Sequence, residues 1–240
     1  MSTVIEVDGV TKRFGALLVI DELSFSLERG EALGVVGPNG AGKTTTLNMI
    51  AGDFSPTTGT IRFDGHDVTA LPAHRRCRMG IGRTSQVPRP FEGLTVFENV
   101  LVGASFGGAH RGHGARDVAV DALRRTGMLA RANVRAGELT LLERKRLELS
   151  RALSTDPEVL LLDEIAGGLT DGEVMDLIET IKGIHAAGVS IIWIEHIVHA
   201  LLKVVDRMLA MDYGRKLIEG DPHGVMASDE VKNVYLGTEA

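Results

Sequence analysis

The stretch "ALGVVGPNGAGKTTTLNMIAG", residues 32–52, constrains the fold more than any other. A short apolar run enters a glycine-rich turn and passes directly into a helical pattern, predicted from about Lys43 to Ala51 with Gly52 just past its end. Its middle, "GPNGAGKTT" from Gly37 to Thr45, matches the G-x-x-x-x-G-K-S/T phosphate loop in the strand–turn–helix setting that this motif requires. Gly37, Gly40 and Gly42, with Pro38, Asn39 and Ala41 between them, let successive backbone amides curl around a phosphate, while the helix dipole faces the same charge. Lys43 would reach the β and γ phosphates, the Thr44 hydroxyl would ligate Mg²⁺, and Thr45 completes the loop. The alternative is a glycine-rich turn that binds nothing, and the strand, the Lys and the Thr together argue against it.

Two further apolar runs, "EVLLLDE" (Glu158–Glu164) and "VSIIWIEH" (Val189–His196), read as parallel strands buried on both faces. With helical patterns between them, the chain is predicted to be α/β with a parallel sheet. From about Pro88 to Thr155 the pattern is helical throughout, which predicts a helical lobe inserted into that core. The division expected is one domain over 1–240: a core lobe at about 1–87 and 156–220, the helical lobe at about 88–155 and a tail at about 221–240. In the loop "SFGGAHRGHGAR", His110 and His113 lack further ligands at metal spacing and read as solvated.

At 240 residues and 44% hydrophobic, the chain can bury a large core. The net charge of -6 gives no basic field for nucleic acid, so no nucleic-acid partner is expected. A single cysteine, Cys77, allows no intrachain disulfide and suits a reducing compartment. The opening "MSTVIEVDGV" reads as neither a secretory leader nor a membrane span, so a cytoplasmic location is expected.

A phosphate loop needs a carboxylate to complete its metal site. Asp163 at the end of "VLLLD" would hold Mg²⁺, directly or through water, and Glu164 would orient or deprotonate the attacking water. The alternative is that the pair caps the next helix. His196, at the end of a strand parallel to that of Asp163, would contact the γ phosphate or else be a packed or capped residue.

Taken in order, "GPNGAGKTT", "SQ", "VLLLDE" and "IEH", with a helical lobe between the second and third, resemble the nucleotide-binding subunit of an ABC transporter along essentially the whole chain. The resemblance implies a P-loop NTPase core of the RecA type with an antiparallel β-subdomain and the inserted helical lobe. It implies ATP and Mg²⁺ as ligands, Gln86 as a contact of Mg²⁺ and the attacking water, and a γ-phosphate contact for His196. Phe14 in "KRFGALL" would stack on adenine, although read alone it could be a core Phe at the edge of the first sheet. "GIGRTSQ", "LTVFENVLVGA" and the terminal "VYLG" at Tyr235 look like the LivG-type subunit of branched-chain amino acid importers, a tail style shared with the ATPase of lipopolysaccharide export. The implied role is that of a peripheral ATPase on the cytoplasmic face of the cell membrane, working with permease subunits and indirectly with a solute-binding protein. Phe91 in "VPRPFEGL" would be the docking aromatic or a loop Phe covering local core. A soluble ABC ATPase of repair or translation is the rival reading, and 240 residues leave no room for its usual insertions.

The chain departs from the family at the signature, usually Leu-Ser-Gly-Gly-Gln, which contacts ATP held by the opposite subunit. Here the aligned residues are Leu139, Thr140, Leu141, Leu142 and Glu143. Thr140-x-x-Glu143 is a capping box, so the helix start is well specified, while an acid at this point would repel a polyphosphate. This implies an asymmetric pairing with a different ATPase subunit, a heterodimer favoured over a homodimer. After Glu164 the family often has Pro and a loop ending in Asp; this chain has Ile165 and Thr170 there, with Gly167 and Gly168 between.

Overall fold

The structure is a computed structural model that describes residues 2–108 and 113–236. His110 and the side chain of His113 fall outside the described set, as does the last residue of "VYLG". The described residues form two compact units, one from residues 2–73 and 190–236 and the other from residues 74–108 and 113–189.

The first unit begins with β1 (Thr3–Phe14), β2 (Leu17–Glu28), β3 (Ala32–Val36), α1 (Lys43–Ala51), β4 (Thr58–Phe63) and β5 (His66–Asp67). The second holds α2 (Ala73–Met79), β6 (Ile81–Arg83), α3 (Val96–Phe106), α4 (His113–Arg125), α5 (Leu141–Leu153), β7 (Val159–Asp163) and α6 (Asp171–Ala186). The chain then returns to the first unit as β8 (Ser190–Ile194), α7 (Val198–Leu201), β9 (Arg207–Asp212), β10 (Arg215–Gly220), α8 (Pro222–Ala227) and α9 (Asp229–Leu236).

In the first unit β1 pairs antiparallel with β2 and β4, and β4 with β5, giving an antiparallel sheet in the order β2-β1-β4-β5. Val4, Ile5, Val7 and Val10 of β1 and Ile20 and Leu23 of β2 are almost fully buried, and the adjacent pair Val4 and Ile5 departs from simple alternation. Beside it β3 lies between β8 and β9, parallel to both, so that Val35 pairs with Ile194 and with Leu209. All five residues of β3 and of β8 are buried, as a strand covered on both faces demands. β10 closes that side antiparallel to β9. The predicted apolar run at Val189–His196 is therefore a parallel strand of this unit.

In the second unit β6 and β7 pair in parallel, Arg83 opposite Leu161, and the Thr84 amide extends the ladder to the Leu161 carbonyl at 3.0 Å. β7 is buried throughout, which brings the chain to Asp163 at its C-terminal end. Helices α3, α4 and α5 pack on one another, and α3 and α5 each start at a Thr with the Glu of a complete capping box three residues on. Between Pro88 and Thr155 the described residues contain no named strand, only an isolated bridge between Thr95 and Arg135. No helix among the described residues is long and apolar enough to cross a membrane.

Candidate active site

The phosphate loop is held from behind rather than by its own side chains. Gly37 has φ +150, and a Cβ there would lie 2.2 Å from the Met211 carbonyl oxygen. Gly42, the N-cap of α1, has φ +94, and its Cβ would meet Ile20 Cδ1 at 2.4 Å and the Val19 carbonyl at 3.0 Å. Both positions thus require glycine by conformation and by packing. The Ala41 amide bonds to the Pro38 carbonyl at 3.2 Å, and the Gly214 amide reaches the Ala41 carbonyl at 3.1 Å, fixing the loop to the β9–β10 turn. No side chain caps α1 and its first turn holds no acid. The chain thus sets neither a side-chain cap nor an acid against the dipole at this end, a setting that favours an anion.

Lys43 is 5% exposed, and its ammonium donates to the Gly37 carbonyl at 2.7 Å and the Pro38 carbonyl at 2.9 Å. A buried ammonium at the head of a helix is of the kind that makes charge-assisted bonds to phosphate oxygens. Thr44 and Thr45 follow, both partly exposed, whereas Thr46 is buried and bonds back to the Gly42 carbonyl at 3.1 Å. A cleft of about 420 Å³ opens between Pro38, Asn39, Gly40 and Ala41 of the loop, the β9–β10 turn and α9.

Phe14 is not a core residue: 48% exposed, it meets Phe54 edge to face at 5.4 Å, and the Lys12 ammonium lies 5.0 Å and 4.7 Å from the two ring centres. An exposed ring face in this setting can stack on a flat heteroaromatic. His196 is exposed just beyond β8. The buried Glu195 shapes that turn, its Oε1 accepting from the amides of His196 at 2.9 Å and Ile197 at 3.4 Å.

In the second unit Asp163 is 1% exposed at the end of β7, with Arg83 Nη2 at 3.6 Å from its Oδ2. Glu164 has φ +46, a left-handed backbone that a non-glycine residue adopts at a cost. Gln86 Nε2 donates to Glu164 Oε2 at 2.5 Å, so the structure joins these two residues directly. The bond leaves the Gln86 carbonyl oxygen to face other partners. The alternative that Asp163 and Glu164 cap the next helix does not hold: α6 starts at Asp171 and is capped by Thr170 with Glu173. Thr170 thus has a structural task of its own, and Ile165 is buried at 3% exposure.

The segment 139–143 is built differently. Thr140 caps α5, its Oγ1 accepting from the Glu143 amide at 3.4 Å while its own amide donates to Glu143 Oε2 at 3.0 Å. Arg131 Nε donates to Glu143 Oε1 at 2.7 Å. The Thr140 amide, with Arg131 adding to it against partial burial, holds the Glu143 carboxyl below its ordinary value. Leu139 is buried, Leu142 half-buried and Leu141 exposed. The repulsion expected of Glu143 is therefore tempered by Arg131, a residue that nothing in the sequence pattern singles out.

Sequence reasoning also passed over Arg83 and the Tyr235 hydroxyl, which accepts from the Gly37 amide at 2.9 Å. Both lie inside stretches that carried the family resemblance. Among the described residues no cluster of three or more His, Cys, Asp or Glu could hold a metal by itself.

The family model described as ABC transporter matches residues 20–167, more than half of the chain. The high-affinity branched-chain amino acid transport ATP-binding protein LivG of Escherichia coli is 35% identical over 248 residues, covering 97% of each chain. The corresponding protein BraF of Pseudomonas aeruginosa is 33% identical over 251 residues, covering 98% of each. Among solved structures, an ATP-binding cassette of an ABC transporter in its ADP conformation superposes with a TM-score of 0.91 at 26% identity, covering 99% of this chain and all of that one. A phosphate loop of this build, a cassette fold matched over the full length and relatives of this identity lead to one conclusion: the chain belongs to the ABC transporter family, as one of its ATP-binding, ATP-hydrolysing subunits.

Proposed function

We propose that this chain drives an importer of branched-chain or related amino acids from the cytoplasmic face of the membrane, with separate permease subunits and a second, different ATPase subunit. The observation that carries the substrate class is its near full-length similarity to LivG and BraF, whose names specify branched-chain amino acid transport. For the ATPase chemistry, the support is the N-terminus of α1, which no side chain caps and no acid enters, with its buried Lys43.

The amides from Gly40 to Thr45 and the Lys43 ammonium bind the β and γ phosphates, and Phe14 stacks on the adenine. Each unit by itself carries oxygen donors of the kind that Mg²⁺ takes, the Thr44 hydroxyl in the first and the Asp163 carboxylate and Gln86 carbonyl oxygen in the second. When bound, the ion screens the phosphate charge and polarises the oxygens of the transferred phosphoryl group. Glu164, fixed by the Gln86 amide, orients the attacking water and accepts its proton, while His196 donates to a γ-phosphate oxygen. In a partner cassette's site, the segment from Leu139 to Glu143 supplies the trans contact. Its occupied helix N-terminus makes that composite site the slower of two, which favours a heterodimer.

Phe91 is 47% exposed and Val87, four residues earlier, 64%, with the Arg151 guanidinium 5.2 Å from the Phe91 ring centre. Its backbone is fixed by Asn99, which accepts from the Phe91 amide at 2.8 Å and donates to its carbonyl at 3.1 Å. A rigidly held aromatic of this kind suits the docking of a permease helix, with the solute-binding protein acting further along the same assembly.

Purification from native cells in mild detergent tests this reading. Co-isolation from membranes with two permease chains and a second ATPase is the expected result. Recovery in the soluble fraction without them would overturn the importer assignment.

A further inference from the structure

β3 ends at Val36, so the sheet ladder stops just before Gly37 opens the phosphate loop. The Gly37 amide is buried, and it donates instead to Tyr235 Oη at 2.9 Å, a partner 198 positions away. On the same residue the carbonyl accepts from the Lys43 ammonium at 2.7 Å. Gly37 is thus a single peptide joint with the tail phenol on one side and the phosphate-binding cation on the other. It has no side chain to brace it, and none would fit against the Met211 carbonyl. The brace must come from elsewhere in the chain.

The tail is built to supply it. Asp221 caps α8 by accepting from the Gly224 amide at 2.8 Å, and Val225 of α8 and Val231 of α9 are each 2% exposed. Ser228 starts α9, its carbonyl accepting from the Lys232 amide at 3.1 Å and its hydroxyl from the Val231 amide at 3.3 Å. These contacts deliver the phenol to the loop, while Tyr235 as a whole remains 42% exposed. Burial of the hydroxyl pushes its pKa up against the pull of the Gly37 amide, so it keeps its proton and accepts as a neutral oxygen.

We propose that Tyr235 is a positioning residue for nucleotide binding: through the Gly37 amide it fixes the first peptide of the phosphate loop and so the carbonyl that holds Lys43. The inference rests on the reading of residues 37–45 as a phosphate loop. A buried amide stripped of its acceptor recovers a partner only by turning the peptide, and turning it moves the Lys43 anchor with it.

Tyr235→Phe in the full chain keeps the ring and deletes the acceptor. Calorimetric titration with MgATP is expected to show Kd rising about tenfold, with little change in the melting temperature of the nucleotide-free protein. In the complex purified with its membrane partners, KM for ATP should rise by a similar factor while kcat at saturation holds, a split that a tail serving only to pack would not produce. A Kd within about twofold of the parent's would overturn the proposal. In the unaltered protein the Gly37 amide, resolved by NMR, is expected to be protected from hydrogen exchange; exchange at the rate of a free loop would equally overturn it. A parent protein that binds no MgATP would instead sink the phosphate-loop reading itself.

Discussion

The N-termini of α1 and α5 begin with the same problem, a first turn of amides without intrahelical partners, and solve it in opposite ways. At α5 the chain satisfies itself: Thr140 and Glu143 bond to each other's amides and Arg131 closes over the carboxylate. At α1 no side chain caps, no acid enters the first turn, and the cap is a left-handed glycine wedged against Ile20 and Val19. One end is capped by the chain's own side chains, while the other has no side-chain cap and is the end to which the proposed function assigns the phosphates. The difference teaches that a helix start can be read as a binding site only when the chain has declined to fill it.

Removing the charge that makes the open end attractive should give the largest effect. Lys43→Ala is expected to lower ATP hydrolysis by about 10²-fold or more, because the preorganised cation facing the developing phosphate charge is gone. A phosphate-release assay on the assembled complex checks this. Retention of full turnover would mean that the open N-terminus does not need its lysine and that the contrast with α5 is only one of capping.

The next test attacks the backbone of the open end. Gly42→Ala places a Cβ where φ is +94 and where Ile20 and Val19 already stand. It should cost about 1–3 kcal/mol in stability and weaken nucleotide binding together, as read by melting with and without MgATP. The corresponding change at the closed end, Thr140→Ala, should cost about 0.5–2 kcal/mol through the lost cap and leave the chain's own nucleotide affinity unchanged. If Thr140→Ala also weakened nucleotide binding by the isolated chain, the division of labour between the two helix starts would fail.

These two ends were legible in the sequence to different depths. The glycine spacing, the strand before it and the Thr-x-x-Glu pattern are local, so α1 with its Gly52 terminator and the capping box at Thr140 could be placed from the residues alone. The strands β3, β7 and β8 were legible because burial on both faces leaves an unbroken apolar run. β2 and β4 were not. Glu22 takes φ +51, and the β1–β2 pairing shifts register several times, so the alternation that marks a half-buried strand is repeatedly broken. Contacts that close over long sequence separations were equally invisible: Tyr235 on Gly37, Gln86 on Glu164 and Arg131 on Glu143 follow no period. Each of them decides how a residue already suspected is held, which is why the residues could be nominated while their support could not.

The smallest effect, and the one that most sharpens the comparison, concerns the charge on Glu143. Glu143→Gln restores the amide usual at that place in the family and keeps a side chain able to accept from the Thr140 amide, but it removes the charge that Arg131 answers. The folded carboxyl titrates below its ordinary 4.5, so the unfolded state binds the proton more readily. The stability this residue contributes is therefore fully present above that ordinary value and is lost as pH falls through the lower, folded one. Melting curves of parent and Glu143→Gln should accordingly differ slightly at neutral pH and converge as the pH is taken below 4.5. Glu98 and Glu173, held low in the same way by their own caps, are common to both proteins and cancel in the difference. A gap that stayed constant through the acid range would mean that Glu143 acts by shape alone. The two helix starts would then differ in geometry but not in charge, and the slower rate proposed for the composite site would have to come from the two leucines that replace the family's glycines.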